Sequence, residues 1–166
     1  ISYCIFQIAK TEFNIDLHKA KYFAGHSLGE YSAIACAGYL DFNDTIRILK
    51  IRGGAMQNSV PKGEGGMLAV LGTSVENIEQ ILKDNQNDFF AEIANDNSEG
   101  QIVLSGKIQD LEKLSFFLKQ DKIKNIKLPV SAPFHCSLMK RATDIMSKEL
   151  DKLNFKKGKN TLISNI

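Results

Sequence analysis

The sequence predicts an α/β protein in two parts: a parallel-sheet core, and inserted in it a smaller β-α-β-β-α-β subdomain. Three observations carry this expectation. Residues 21–24 are short and aromatic, and Gly25-His26-Ser27-Leu28-Gly29 and then an Ala-rich stretch follow, so the chain reads strand, sharp turn, helix. Between residues 67 and 128 the apolar spacing switches between strand and helix periods in the order β-α-β-β-α-β. The Gly-rich stretch 60–66 before it and Pro129 after it set this segment apart.

Taken in order, residues 2–13 read as an amphipathic helix with Ile5, Phe6, Ile8, Ala9 and Phe13 on its apolar side. The first strand, the turn and a helix over 30–37 follow, with Gly38 as its C-cap. Asp41 is an N-cap for a second helix, which Ile46, Leu49, Ala55 and Met56 help to line and which carries Arg47 and Arg52. Residues 60–66 read as a hinge or linker; their glycines follow no strand and open no helix, so they form no dinucleotide loop. Then come a strand over 67–71, a helix capped by Ser74, a strand over 89–93, a polar turn over 95–100 and a strand over 101–105. A helix over 107–119 and a strand over 123–128 complete the ferredoxin-like split order. Beyond Pro129 lie an irregular loop over 130–136, a helix over 137–153 and a strand over 161–164.

The bulk composition narrows the function classes. With 166 residues and 43% apolar content the chain can bury a sizeable core, and no apolar run spans a bilayer. Residues 1–9 lack the basic start and cleavage site of a signal peptide. A first residue of Ile and an apolar end suggest an internal fragment of a longer protein. Cys4, Cys36 and Cys136 are odd in number and far apart, which suits a reducing cytoplasm rather than a disulfide framework. No Cys or His pair has zinc spacing, so no metal is expected. A net charge of +2 carries no nucleic-acid signature. From Lys107 onward, however, thirteen basic side chains face six acidic ones. That excess suits either an acidic partner or ordinary solvated helix faces.

Gly-x-Ser-x-Gly between a strand and a helix is the setting of a hydrolase-like nucleophile elbow. Gly25 and Gly29, lacking Cβ atoms, allow a tight turn, and Ser27 would stand at a helix N-terminus whose N–H groups can stabilise an oxyanion. The competing reading is a plain β-to-α turn with Ser27 as its cap. A serine nucleophile needs a base. His18 lies in a polar, exposed-looking segment, and His26 adjoins Ser27 on a turn that should point the two apart. By elimination His135 is the candidate, with a structural histidine capping the next helix as an equal alternative.

Several stretches together resemble the malonyl-CoA:acyl-carrier-protein transacylase family. They are residues 25–33, Gly-His-Ser-Leu-Gly-Glu-Tyr-Ser-Ala; residues 52–57, Arg-Gly-Gly-Ala-Met-Gln; residues 66–72 and 97–106; and residues 129–135, Pro-Val-Ser-Ala-Pro-Phe-His. The resemblance runs through the whole chain in order and spacing. It implies a hydrolase-like core over 1–60 and 129–166, incomplete at both ends, with a ferredoxin-like subdomain over 61–128. It implies Ser27 as nucleophile, His135 as general base, Arg52 as the holder of the malonyl carboxylate and the Leu28 N–H as half of the oxyanion hole. Gln57 and Asn97 would line the pocket. Leu28 and Phe134 would favour malonyl over methylmalonyl groups, as Leu after the nucleophile and Phe before the His do in related acyltransferases. Glu30 reads as a first-turn helix residue favoured by the dipole. The family's N-terminal Gly-Gln-Gly-x-Gln loop and the C-terminal segment that orients its His have no counterpart in the 166 residues. The implied partners are malonyl-CoA and acyl carrier protein, with no cofactor, no nucleic acid, no membrane and a monomeric state. The rival expectations are the acyltransferase domain of a polyketide synthase, a patatin- or lipase-type serine hydrolase, and an inactive fragment.

Carrier proteins of this kind of pathway are acidic, so the basic excess generates a prediction. Replacing Lys140 and Arg141 by Glu should weaken transfer to the carrier protein and leave loading from the CoA ester intact. Assays of the two half-reactions decide this: equal changes in both, or in neither, would remove this surface as the docking face.

Overall fold

The computed structural model describes residues 1–164, so the last two residues of the expected 129–166 segment lie outside it. The chain divides into two units, one made of Ile1–Arg52 with the chain from Met146 onward, the other of Gly53–Ile145.

The first unit opens with helix α1 (Ser2–Thr11), which buries Phe6; Ile5, Ile8 and Phe13, expected on its apolar side, are exposed. Phe6 meets His18 and Phe23 edge-on, while Tyr3 stacks on Phe42 at 4.3 Å between ring centres. Strand β1 (Tyr22–Ala24) pairs in parallel with β6 (Thr161–Ile163), Phe23 facing Leu162. Asn160 fastens this pair: its Nδ2 donates to the carbonyls of His18 and Ala20, and its main-chain carbonyl accepts from the Tyr39 hydroxyl.

Between β1 and helix α2 (Leu28–Cys36) the backbone of residue 25 lies against that of residue 29. At its far end α2 closes in a Schellman motif, with Gly38 at φ +80 and its N–H on the Ala35 carbonyl, and the Tyr39 N–H on that of Ile34. Helix α3 (Phe42–Gln57) follows. Its inner face is Thr45, Ile48 and Ala55; Ile46, expected inside, is exposed, because the buried register runs through Thr45 and Ile48. Leu40, Ile48 and Met146 form the unit's core, with Tyr31, Ile34, Ile51, Leu150 and Leu153 around it.

The second unit is built from β2 (Gly65–Leu71), α4 (Val75–Asp84), β3 (Ala91–Ser98), β4 (Gln101–Lys107), α5 (Ile108–Gln120) and β5 (Lys124–Lys127). Its sheet runs β3-β4-β2-β5 and every neighbouring pair is antiparallel. Because side chains alternate along a strand, Leu68, Val70, Ile102 and Leu104 share one face. That face packs on Ile78 of α4 and on Leu111, Leu114 and Leu118 of α5 to make the core. The Ser74 hydroxyl caps α4 through the Asn77 N–H.

Three expectations change here. Strand β3 runs on to Ser98, so residues 95–98 pair with β4 through register shifts, and the turn shrinks to Glu99-Gly100 with Gly100 at φ +70. Polar side chains do not prevent a backbone ladder. Gly65 and Gly66 also belong to strand β2 rather than to a linker. Gly65 marks a close approach: a Cβ there would stand 2.3 Å from Cδ of Pro133. Beyond that loop the expected single helix is a 3-10 turn, Ser137–Met139, leading into α6 (Lys140–Leu150).

The elbow gives a prediction that separates its two glycines. A Cβ on Gly25 would lie 2.0 Å from the Gly29 carbonyl carbon and 2.5 Å from the Glu30 nitrogen, whereas a Cβ on Gly29 meets no described atom beyond its chain neighbours and its own stretch of helix backbone within 4 Å. Gly25→Ala should therefore cost on the order of 3 kcal/mol. Gly29→Ala, at a helical position that favours Ala, should stay within about 1 kcal/mol of wild type. Chemical denaturation of both variants checks this; equal losses would mean that the turn does not depend on the bare backbone at Gly25.

Candidate active site

Ser27 sits between β1 and α2 with φ 52 and ψ −106, a backbone conformation that a non-glycine residue adopts only when its surroundings impose it. The close approach at Gly25 is that imposition. The turn is fixed by the Gly29 N–H on the His26 carbonyl at 2.8 Å and the Glu30 N–H on the Ser27 carbonyl at 3.2 Å. Although Ser27 occupies the N-cap position, its side chain makes no capping bond. Its Oγ instead accepts a hydrogen bond of 2.9 Å from Nη2 of Arg52. Leu28 opens α2, where backbone N–H groups have no partner within the helix.

Arg52 lies two to three turns along α3, half-buried. Its guanidinium also lies over the Tyr31 ring, 5.7 Å from the centroid, one turn of α2 beyond Ser27. Burial raises the Tyr31 pKa above its usual value, and the Arg52 charge opposes that rise only in part. The phenol is therefore neutral throughout the neutral range, and the ring presents a π-face to the cation. Glu30 accepts from the Ser164 hydroxyl at 2.9 Å. Next to Leu28 a cavity of about 440 Å³ is lined by Ser32, Phe42, Ile46 and Leu49 among others.

The second unit holds the remaining candidates. His135 is exposed and has φ 59, Phe134 beside it is half-buried, and Pro133 is fully buried against Gly65. Gln57 accepts from the Ser131 hydroxyl at 3.1 Å, so it adjoins the start of the same loop. Gln57 and Arg141 also line a cavity of about 370 Å³ with Asn58 and Lys62, and Lys140 is paired with Asp144 at 2.6 Å. Asn97 is exposed near the end of β3. The Cys136 thiol, pushed up in pKa chiefly by burial, donates to the Pro133 carbonyl.

Ser27, Leu28 and Arg52 thus belong to the first unit, and Gln57, Asn97, Phe134 and His135 to the second. Within the first, Ser27 and Arg52 are brought into direct contact. His18, expected to be exposed, is half-buried against Phe6 and bonded through Nδ1 to Asn160, so it serves the fold. Tyr31, which lies under the Arg52 guanidinium, and Glu92, whose carboxylate accepts from the Ser137 N–H, were not singled out by sequence reasoning. Tyr31 has a local signal, a ring one helical turn after the serine, whereas Glu92 has none. Among the described residues no group of three or more His, Cys, Asp or Glu could hold a metal ion, and no helix is long and apolar enough to cross a membrane.

The chain is 39% identical over 144 residues to the malonyl CoA-acyl carrier protein transacylase of Salmonella typhimurium, covering 86% of this chain and 47% of that protein. The corresponding transacylase structure from Clostridium perfringens superposes with a TM-score of 0.89 at 38% identity, over 98% of this chain and 51% of the other. A second similar structure is a malonyl-transacylase in holo complex with its type II PKS acyl-carrier protein, with a TM-score of 0.91 at 34% identity over 99% of this chain and 53% of that one. The chain spans about half the length of the curated relatives it matches. Residues 18–166 match the acyl transferase domain, and the chain belongs to that family.

Proposed function

We propose that the protein transfers a malonyl group from malonyl-CoA to the phosphopantetheine thiol of an acyl carrier protein, through a malonyl ester on Ser27. The contact that carries this reading is the Arg52 guanidinium 2.9 Å from the Ser27 hydroxyl. A cation beside the nucleophile is of no use to a neutral acyl chain. It is well placed for an acyl group that ends in a carboxylate, because a guanidinium fork matches a carboxylate bidentately. The relatives' names point the same way, and the acyl-carrier-protein complex of one similar structure supports a carrier protein as acceptor.

In the proposed sequence His135 takes the Ser27 proton and Oγ attacks the thioester carbonyl. The Leu28 N–H stabilises the oxyanion, and CoA leaves as the thiol once His135 returns the proton. The carrier thiol then gives its proton to His135 and attacks the ester carbonyl; the bond to Ser27 Oγ breaks, and Oγ takes that proton from His135, restoring Ser27. Gln57 and Asn97 line the pocket, and Leu28 and Phe134 limit bulk next to the acyl carbon. The β1–β6 pair with its elbow supports a hydrolase-like core. The β-α-β-β-α-β order with sheet order β3-β4-β2-β5 supports a ferredoxin-like subdomain inserted at 61–128 between core segments 1–60 and 129–166. The protein is read as a monomer acting in the cytoplasm.

Arg52→Ala in the full-length protein tests the reading. Losing a charged hydrogen bond worth about 1.5–3 kcal/mol should lower malonyl transfer about ten- to a hundredfold. Acetyl transfer should fall less or rise, since the wild-type cation is left unsatisfied by a neutral acyl group. Competition between malonyl- and acetyl-CoA gives the ratio; an unchanged ratio would make Arg52 structural and remove the basis for the malonyl assignment.

A further inference from the structure

The loop that carries His135 is fastened to the face of the second unit's sheet that α4 and α5 leave uncovered. Ala91 and Ile93 point into the helix-covered core, so Glu92 between them points to the opposite face. There one carboxylate oxygen of Glu92 accepts two bonds from Ser137. The backbone N–H donates at 2.9 Å, and the hydroxyl donates in a shorter contact. Ser137 opens the 3-10 turn that follows His135 by two residues. Other contacts also hold the loop: Pro133 lies against the bare backbone of Gly65, the Cys136 thiol bonds the Pro133 carbonyl, and the Ser131 hydroxyl donates to Gln57. These are apolar or uncharged. Glu92 supplies a charge-assisted anchor, and it acts where the loop turns from the left-handed backbone of His135, φ 59, into helix.

We propose that Glu92 is the positioning residue for His135. It holds the Ser137 end of the loop and thereby fixes where the imidazole stands, without touching substrate. The inference rests on the reading of His135 as the base of both half-reactions. A displaced base loses rate steeply while substrate binding persists, so the signature is in kcat rather than KM. A carboxamide keeps an oxygen that can accept both Ser137 bonds, so Glu92→Gln should preserve the anchor, whereas Glu92→Ala abolishes it.

The experiment is a mutant cycle on the full-length protein, with malonyl loading and carrier transfer measured separately. Glu92→Ala should lower kcat of both steps about tenfold or more with little change in KM for malonyl-CoA, and Glu92→Gln should restore most of the loss. Ser137→Ala, which keeps the backbone donor, should give a smaller loss of the same kind; it also provides a readout if Glu92→Ala does not fold. In a His135→Ala background, Glu92→Ala should cause no further loss. An equal loss in both backgrounds, an effect confined to KM, or wild-type kcat in both Glu92→Ala and Ser137→Ala would overturn the positioning role. Wild-type rates in His135→Ala alone would overturn instead the reading of the base on which it rests.

Discussion

The candidate site depends on a backbone contact with no room in it. Strand β1 and helix α2 meet so closely at Gly25 that a single methyl would overlap the Gly29 carbonyl group. The chain can make that turn only by putting Ser27 in the left-handed region, φ 52, at a cost of about 1–3 kcal/mol for a residue with a side chain. The cost is met by the elements on either side. Asn160 ties β6 and the segment before β1 together, and the Schellman closure at Gly38 ends α2 where Tyr39 can reach Asn160. The strain presents the hydroxyl outward instead of letting it cap its own helix.

Electrostatics then give the strained serine its chemical character. Arg52 reaches Ser27 from α3 while its guanidinium rests on the Tyr31 ring. Ring and hydroxyl both contact the cation, and neither binds it as strongly as a paired Asp or Glu would. On the proposed reading, the guanidinium is the group that meets the carboxylate of an anionic acyl group. These contacts also explain why Arg52 cannot be regarded as an ordinary solvated helix arginine like Arg47, which pairs with Asp44 at 2.8 Å on an exposed face.

What the sequence made legible was whatever is encoded locally. The strand–turn–helix around Ser27, the cap at Ser74, Gly38 after α2 and the helical spacing of Leu111, Leu114 and Leu118 all depend on neighbours within one or two turns. Arg52 was found through its resemblance to a family segment, but its contact with Ser27 spans 25 positions and needed the packing of α2 on α3. Local reasoning failed where a residue's role is set from across the fold. Gly29 read like Gly25, yet only Gly25 faces a backbone. Gly65 read as linker, yet it makes space for Pro133 of a loop 68 residues on. His18 read as exposed because its cover, Asn160, lies 142 positions away. Glu92 gave no signal, since alternation on β3 says which face it takes but not what lies there.

The central claim is that the strained serine beside Arg52 becomes the ester-bearing residue. It is tested most directly by mixing the full-length protein with malonyl-CoA, quenching, and mapping the adduct by mass spectrometry of proteolytic peptides. The account predicts a malonyl adduct on the peptide containing Ser27, absent from Ser27→Ala and discharged by carrier protein. A malonyl adduct on another residue, or one that persists in Ser27→Ala, would contradict it.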